Sequence, residues 1–496
     1  MKRLLLGLLP FFFYLPAQAL ILSETYYSGR EVCERSSIQR TEEIPFWITV
    51  PVNYADASQG TTQIYAWIKK PLDPEKETMI FINGGPGDTA HSLRLDLDHW
   101  NVIFFDQRGN SCSKPTTHEL YLSRSFYSSE NTARDINEIR RFFELRQVSV
   151  YGVSYGTIPA HLYGHFFPQN TKGVVLEGTI FQSDESLIEP ERRRQKLQTF
   201  FESLPREKQN RILSLSKRPE FPANWFSTIG MMMLSMDNAQ ETYSNFLDTI
   251  IWDETAATSM LGAFKSAEGE DTEFGFGDVM MGMIGCQELN MNNSEISFYS
   301  VFENGKLVAD KTNTLKKLYC QSLGFTEADQ NKTFKASNYP TVVPVTYFQG
   351  SYDGATVSTQ SVQHFQEAAK GFAQLLISTT GGQLPLHSKA ASYAGNQKTV
   401  SLHKQLLEKA LSGAPIPPAQ IENLNTLPDT SWAQILQPTP ATQTPAVPEA
   451  PIPPEQESVV PATPPQASPA TITEQPHEAP TQESPASSAL ASTPLE

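Results

Sequence analysis

Hydrophobic residues recur along this chain in two alternating rhythms. Met79 to Ile82 and Val102 to Phe105 are short apolar runs bounded by turn residues. Such runs suit strands buried on both faces of a parallel sheet. Ahead of them, Phe46 to Val52 and Thr62 to Lys69 are rich in β-branched and aromatic residues and predict two more strands. Between Asn131 and Leu145 the period changes. Ala133, Ile136, Ile139, Phe142 and Phe143 fall on one face at helical spacing, with Arg and Glu opposite. Val148 to Tyr151 predicts the next strand, followed by a helix reaching His165 and a strand from Lys172 to Leu176. Strand alternating with helix predicts a mostly parallel sheet covered on both faces.

The rhythm breaks after about Thr179. Asp184 to Lys217 is charged and predicted helical, and Phe221 to Thr333 is rich in Met and Phe. Strand character resumes at Val342 to Phe348 and Ala373 to Ser378, with a helix from Gln360 to Ala369 between them. Leu402 to Leu411 predicts a closing helix. The simplest organisation is a core over residues 20–179 and 339–412, interrupted by a helical cap over 180–338. From Gly413 onward Pro, Ala, Thr, Gln, Ser and Glu dominate. Residues 413–496 therefore predict a Pro-rich disordered tail, which lacks the apolar surface to offset the entropy of ordering. Such a tail is a passive solvated segment or a spacer contacting the cell envelope.

Charge and cysteines narrow the setting. The formal net charge of −16 argues against nucleic acid, whose binding rests on basic patches. Part of it sits in the tail, which carries acidic residues from Glu449 to Glu496 and no Lys or Arg after Pro438. At the other end, Lys2 and Arg3 precede an apolar stretch, Leu4 to Leu15, and then Ala17-Gln18-Ala19. That pattern predicts a signal peptide over residues 1–19, cleaved after Ala19. The apolar stretch is too short to span a bilayer. A secreted or periplasmic protein without stable membrane insertion is expected. Four cysteines, Cys33, Cys112, Cys286 and Cys320, permit two disulfides in an oxidising compartment. Three pairings are possible; Cys33–Cys112 and Cys286–Cys320 keep each bridge within one predicted domain.

The strand at Val148 runs into Gly152-Val153-Ser154-Tyr155-Gly156. Gly-x-Ser-x-Gly between a strand and a helix predicts a sharp elbow with Ser154 exposed at its tip. The glycines allow backbone to approach backbone. A serine hydroxyl becomes a nucleophile only with a base, a group orienting that base, and donors for the oxyanion. In this arrangement the chain order is Ser, acid, His. Asp353 follows the strand ending at Gly350 and is the candidate acid. His387 follows the last strand and the Gly381-Gly382 turn and is the candidate base. His364 and His403 lie on predicted helices and suit surface or packing roles. The candidate oxyanion donors are the backbone N–H groups of Tyr155 and of Gly85, in the loop Asn83-Gly84-Gly85-Pro86-Gly87.

With these pieces in order the chain resembles the proline iminopeptidase and tripeptidyl aminopeptidase family of α/β-hydrolases. The family carries His-Gly-Gly-Pro-Gly, Asp-Gln-Arg-Gly-x-Gly-x-Ser and Gly-x-Ser-Tyr/Trp-Gly. Here these read Asn83 to Gly87, Asp106 to Ser113, and Gly152 to Gly156. The resemblance covers roughly residues 30 to 410. It implies an α/β-hydrolase fold with a helical cap, and a serine peptidase removing residues from free peptide N-termini. It also implies a cap carboxylate that binds the substrate α-amine, and Cys286-Gln287-Glu288 resembles the element carrying it. Three departures stand out. Asn83 replaces the family His, and Ser111 replaces a Gly. Gln383 to Leu386 lengthen the segment before His387, where the family has Gly-His soon after the strand. Arg108 reads as a buried ion-pair partner.

The expected function is a serine aminopeptidase acting on short peptides through an acyl-enzyme, with no metal or cofactor. Two rivals share the same residues. An esterase or lipase would use the same triad, with Met231 to Leu234 and Met280 to Met283 lining an apolar cap. A non-catalytic envelope protein would use the fold as a binding module.

Overall fold

The computed structural model describes residues 43–437, apart from 91–92, 94, 116, 183–189, 220, 235–238, 254, 261–275, 293–296, 298, 312–318, 327–328, 330–333 and 392–395. The predicted signal peptide, Cys33 and the segment from 438 onward lie outside the described residues.

The central sheet contains nine strands among the described residues, in the order β1-β2-β4-β3-β5-β6-β9-β10-β11. They are β1 (Ile44–Pro51), β2 (Thr61–Ile68), β3 (Glu77–Ile82), β4 (Trp100–Phe105), β5 (Val148–Val153), β6 (Thr171–Glu177), β9 (Val345–Gly350), β10 (Ala373–Ser378) and β11 (Trp432–Leu436). β4, β3, β5, β6, β9 and β10 pair in parallel. β1, β2 and β11 run antiparallel at the two edges.

Strand periodicity divides the core. Ile80 and Ile82 of β3 point into one apolar layer, Met79 and Phe81 into the other. The first layer is closed by α1 (Ser129–Phe142), through Ala133, Ile136 and Ile139, and by α2 (Thr157–Phe166), through Ile158 and Leu162. Ser128 caps α1, its side chain accepting from the Asn131 N–H. The second layer is closed by α9 (Gln397–Leu411), through Leu406, Leu407 and Leu411, and by α10 (Pro418–Leu424), through Ile421 and Leu424. A further helix, α8 (Ser358–Glu367), joins β9 to β10.

The insertion has its own core. Helices α3 (Pro190–Ser203), α4 (Arg206–Leu215), α5 (Trp225–Leu234) and α6 (Ala239–Trp252) gather Leu197, Phe201, Ile212, Trp225, Phe226 and Tyr243 into a separate apolar cluster. Two expectations are corrected. The cap is not purely helical, because β7 (Ser300–Glu303) and β8 (Lys306–Ala309) form an antiparallel hairpin around the Asn304-Gly305 turn. Both turn residues adopt positive φ, which Asn and Gly tolerate best. The cap's last helix, α7 (Phe276–Glu288), packs elsewhere: Val279, Met280, Met283 and Ile284 join the first core layer. Met280 and Met283 are therefore packing residues, not a surface for lipid.

The tail begins later than composition implied. Residues 413–437 are folded, with Ile416, Leu424 and Trp432 buried and β11 bonded along β10. A few large apolar side chains at regular spacing outweigh the Pro-rich background. Cys286 and Cys320 form a disulfide within the cap, as expected. Cys112 is also disulfide-bonded, and its expected partner Cys33 is outside the described residues.

Candidate active site

Ser154 sits where β5 ends and a single 3-10 turn, Ser154 to Gly156, leads into α2. Its φ is +53°, a conformation that costs a non-glycine residue on the order of 1 kcal/mol. The neighbouring glycines explain how the bend closes. A Cβ on Gly152 would overlap the carbonyl of Gly156, and one on Gly156 would lie 2.5 Å from Asn83 O. The loop after β3 lies directly over the serine. A Cβ on Gly84 would be 3.0 Å from Ser154 Cβ. Gly85 adopts φ +100° ahead of a cis Gly85–Pro86 bond. Tyr155 is in the first turn of the helical segment, where N–H groups have no intrahelical partner.

The Asn83 to Gly87 loop is held by side chains from the second motif. Gln107 Nε2 donates to Asn83 O at 2.9 Å, and Asp106 Oδ1 accepts from the Ala90 N–H at 2.8 Å. Asn83 braces its own loop, its Oδ1 accepting from the Gly84 N–H at 2.7 Å and its Nδ2 donating to Thr89 O at 2.7 Å. Arg108 is fully buried and bonded to both oxygens of Asp135 on α1, at 2.7 and 2.5 Å. The same guanidinium donates to the carbonyls of Pro51, Val52 and Phe126. Arg108 thus ties β1 to α1 beneath the site.

The three residues expected to form a relay are not hydrogen-bonded to one another. Ser154 Oγ accepts from Gln383 Nε2 at 2.9 Å. Asp353 is buried, and its carboxylate takes four bonds from other groups. Oδ1 accepts from the N–H groups of Ala355 and Thr356, and Oδ2 from Thr356 Oγ1 and Gln349 Nε2. Burial pushes its pKa up, against the pull of those bonds. His387 opens a single helical turn, with its ring 5.7 Å from the Phe81 ring and 6.4 Å from that of Tyr151. Its Nδ1 is buried with no hydrogen bond among the described residues. Desolvation lowers its pKa to about 4.

The loop after β10 nevertheless converges on Ser154 and Asp353. A Cβ on Gly178, just past β6, would lie 3.2 Å from Gln383 O and 3.5 Å from Asp353 Oδ2. The residue in that loop that reaches the serine is Gln383.

Two residues that sequence reasoning passed over organise this loop. Glu177, at the end of β6, is fully buried. Its Oε1 accepts from the N–H groups of Leu386 at 2.6 Å and His387 at 3.2 Å, and Tyr151 donates to its Oε2. A carboxylate ending an otherwise apolar core strand was the available signal. Gln383 follows Gly381-Gly382, where the resembled family has Gly-His, and that position was the signal for it.

Glu288, expected to bind a substrate amine, ends α7 at the N-terminus of α1. Its oxygens accept from the Ser129 N–H at 3.1 and 3.2 Å and from Ser129 Oγ at 2.5 Å, and Ser129 Oγ meets Tyr155 OH at 2.9 Å. A carboxylate is favoured at that helix end by the dipole. Glu288 also borders a cavity of about 580 Å³ with Glu130, Arg134, Phe334 and Tyr339, and neither Ser154 nor the Gly85 loop lines it. The cap meets the core again at the acid loop. Lys196 of α3 donates to the carbonyls of Ser351 and Asp353, each at 3.0 Å, and Arg193 donates to Ala355 O. His364 and His403 are buried packing residues, bonded to Tyr347 OH and Thr399 O.

A model of the α/β hydrolase fold matches residues 77–216. The proline iminopeptidase of Arabidopsis thaliana is 32% identical over 108 residues, which is 21% of this chain and 27% of that protein. The proline iminopeptidase of Neisseria meningitidis serogroup A is 29% identical over 119 residues, 23% of this chain and 36% of that protein. The chain thus spans between a quarter and two fifths of the length of these relatives. Among solved structures, the proline iminopeptidase-related protein of Thermus thermophilus superposes with a TM-score of 0.37 at 13% identity, over 75% of this chain and 98% of that one. The chain is an α/β-hydrolase by fold, similar over part of its length to proline iminopeptidases.

Proposed function

We propose that this chain is an exported serine hydrolase acting at the free N-termini of short peptides. The observation that carries the reading is the elbow: Ser154 at φ +53° on a Gly-x-Ser-x-Gly turn, under a Gly-rich loop able to offer N–H donors. The close backbone contacts around the turn hold that strained conformation in place, and strain of this kind clusters at active sites. In the reaction, Ser154 Oγ bonds to the peptide carbonyl carbon and its proton passes to a base. The C–N bond breaks, the leaving amine takes the proton, and water then hydrolyses the ester. Tyr155 and Gly85 N–H groups would hold the oxyanion. His387 is the base and Asp353 the acid in this reading, and both must come within hydrogen-bond reach of their partners before turnover. The partial similarity to proline iminopeptidases supports a peptide over other acyl substrates.

A second reading, binding of peptide ends without cleavage, is favoured by the Gln383 amide lying on Ser154 Oγ. Aminoacyl-naphthylamides and acyl-nitrophenols assayed in parallel on the full chain and on Ser154→Ala separate the possibilities. Release of the free aminoacyl group, abolished in the variant, supports the peptidase. Turnover of the nitrophenyl esters alone makes it an esterase. Cleavage of blocked peptides but not free ones sinks the aminopeptidase reading.

A further inference from the structure

We infer that Gln383 is a positioning residue that restrains Ser154: it stands where a general base would stand and has no capacity to accept the proton. The inference rests on Ser154 being the reactive hydroxyl of the proposed hydrolase. Three observations carry it. The first is the contact itself, Gln383 Nε2 to Ser154 Oγ at 2.9 Å. The amide nitrogen has donors and no usable lone pair, so the serine oxygen spends a lone pair on accepting. With the amide turned the other way, its oxygen would accept from the hydroxyl, yet an amide oxygen is not protonated near neutral pH either.

The second is placement. Gln383 and Asp353 converge beside Gly178, with Gln383 in contact with Ser154. The Gln383 main chain thus borders the acid while its side chain meets the serine, an amide where an imidazole is expected. The third is the location of the imidazole. His387 comes four positions later, in a helical turn whose first two N–H groups are held by the buried Glu177 carboxylate. Its ring packs against Phe81 and Tyr151. The Glu177 carboxylate fixes the backbone from which that imidazole projects, and the Ser154 hydroxyl is already bonded to Gln383.

The test is the rate of labelling by a fluorophosphonate. Ser154 Oγ bonds to phosphorus, the P–F bond breaks, fluoride leaves, and the hydroxyl proton must go to a neighbouring base. Slow labelling is expected for the wild-type chain. Gln383→His places an imidazole beside Ser154, and labelling should rise roughly 100-fold or more. That rate should fall as pH drops through the imidazole titration near about 6.5, a profile that mere loosening of the loop would not produce. Gln383→Glu keeps the shape of the side chain while adding an acceptor, and should give roughly a tenfold gain. The inference is overturned if the wild type labels rapidly, loses this in His387→Ala, and gains nothing in either Gln383 variant. Ser154 would then remain the nucleophile with His387 as its base. If none of the folded proteins labels, the nucleophile reading fails together with the inference.

Discussion

His161 offers a sharp test of how the interior responds to acid. It lies on α2, fully buried, with its ring 4.5 Å from that of His364 and 6.5 Å from that of Phe334. Nε2 reaches Ala336 O at 3.3 Å, and Nδ1 has no hydrogen bond among the described residues. Desolvation lowers its pKa from 6.5 to about 4. The folded state therefore binds this proton less readily than the unfolded chain. Stability from the neutral ring is complete above about pH 6.5 and is lost as pH falls toward 4. The full contribution is about 3 kcal/mol, of which about 2 kcal/mol has gone at pH 5. His161→Gln keeps a donor for Ala336 O and removes the titration. Urea denaturation of both proteins at pH 7 and pH 5 isolates the effect, because every other titrating group is common to the two, including His364, which feels the His161 charge. The wild type should lose about 2 kcal/mol more than the variant over that interval. Equal losses would show that His161 is not held neutral by burial, and the reasoning would fail.

Two other substitutions probe the packing beneath and behind the serine. Arg108→Met leaves Asp135 as a buried charge with Tyr54, among the described residues, its one remaining donor, and should cost about 3–5 kcal/mol by urea denaturation. The double variant Arg108→Met/Asp135→Leu should recover much of that loss. Gly156→Ala drives a methyl into the carbonyls of Ile82 and Asn83, neither of which can yield without moving β3 and its loop. About 1–3 kcal/mol of destabilisation is expected, together with loss of fluorophosphonate labelling; labelling at the wild-type rate would count against the elbow.

The sheet was legible because its signals are local. Apolar runs such as Met79 to Ile82 and Ala373 to Ser378 report burial on both faces, and the helical stripe through Ala133, Ile136 and Ile139 reports one face. The elbow was legible because Gly152 and Gly156 are required by backbone contacts inside a five-residue turn. What was hidden depends on contacts distant in sequence. β11 is an edge strand whose alternation is weak, and only its pairing with β10 distinguishes it from a Pro-rich linker. Glu288 reads the same whether it waits for an amine or caps a helix 159 positions away. Gln383 reaches a serine 229 positions earlier in the chain, and Glu177 on another strand holds the N–H groups of Leu386 and His387 nearby.

The clasp between α3 and the loop around Asp353 gives the cap a mechanical role. Two cations, Lys196 and Arg193, grip three main-chain oxygens of the same short turn. At about 1 kcal/mol net for each, prising α3 upward costs about 3 kcal/mol, so fewer than roughly one molecule in a hundred stands ajar at any moment. Roof and acid loop therefore travel as one piece. A guest that wedges beneath this helix would disturb the carboxylate below it, so admission and alignment become a single event.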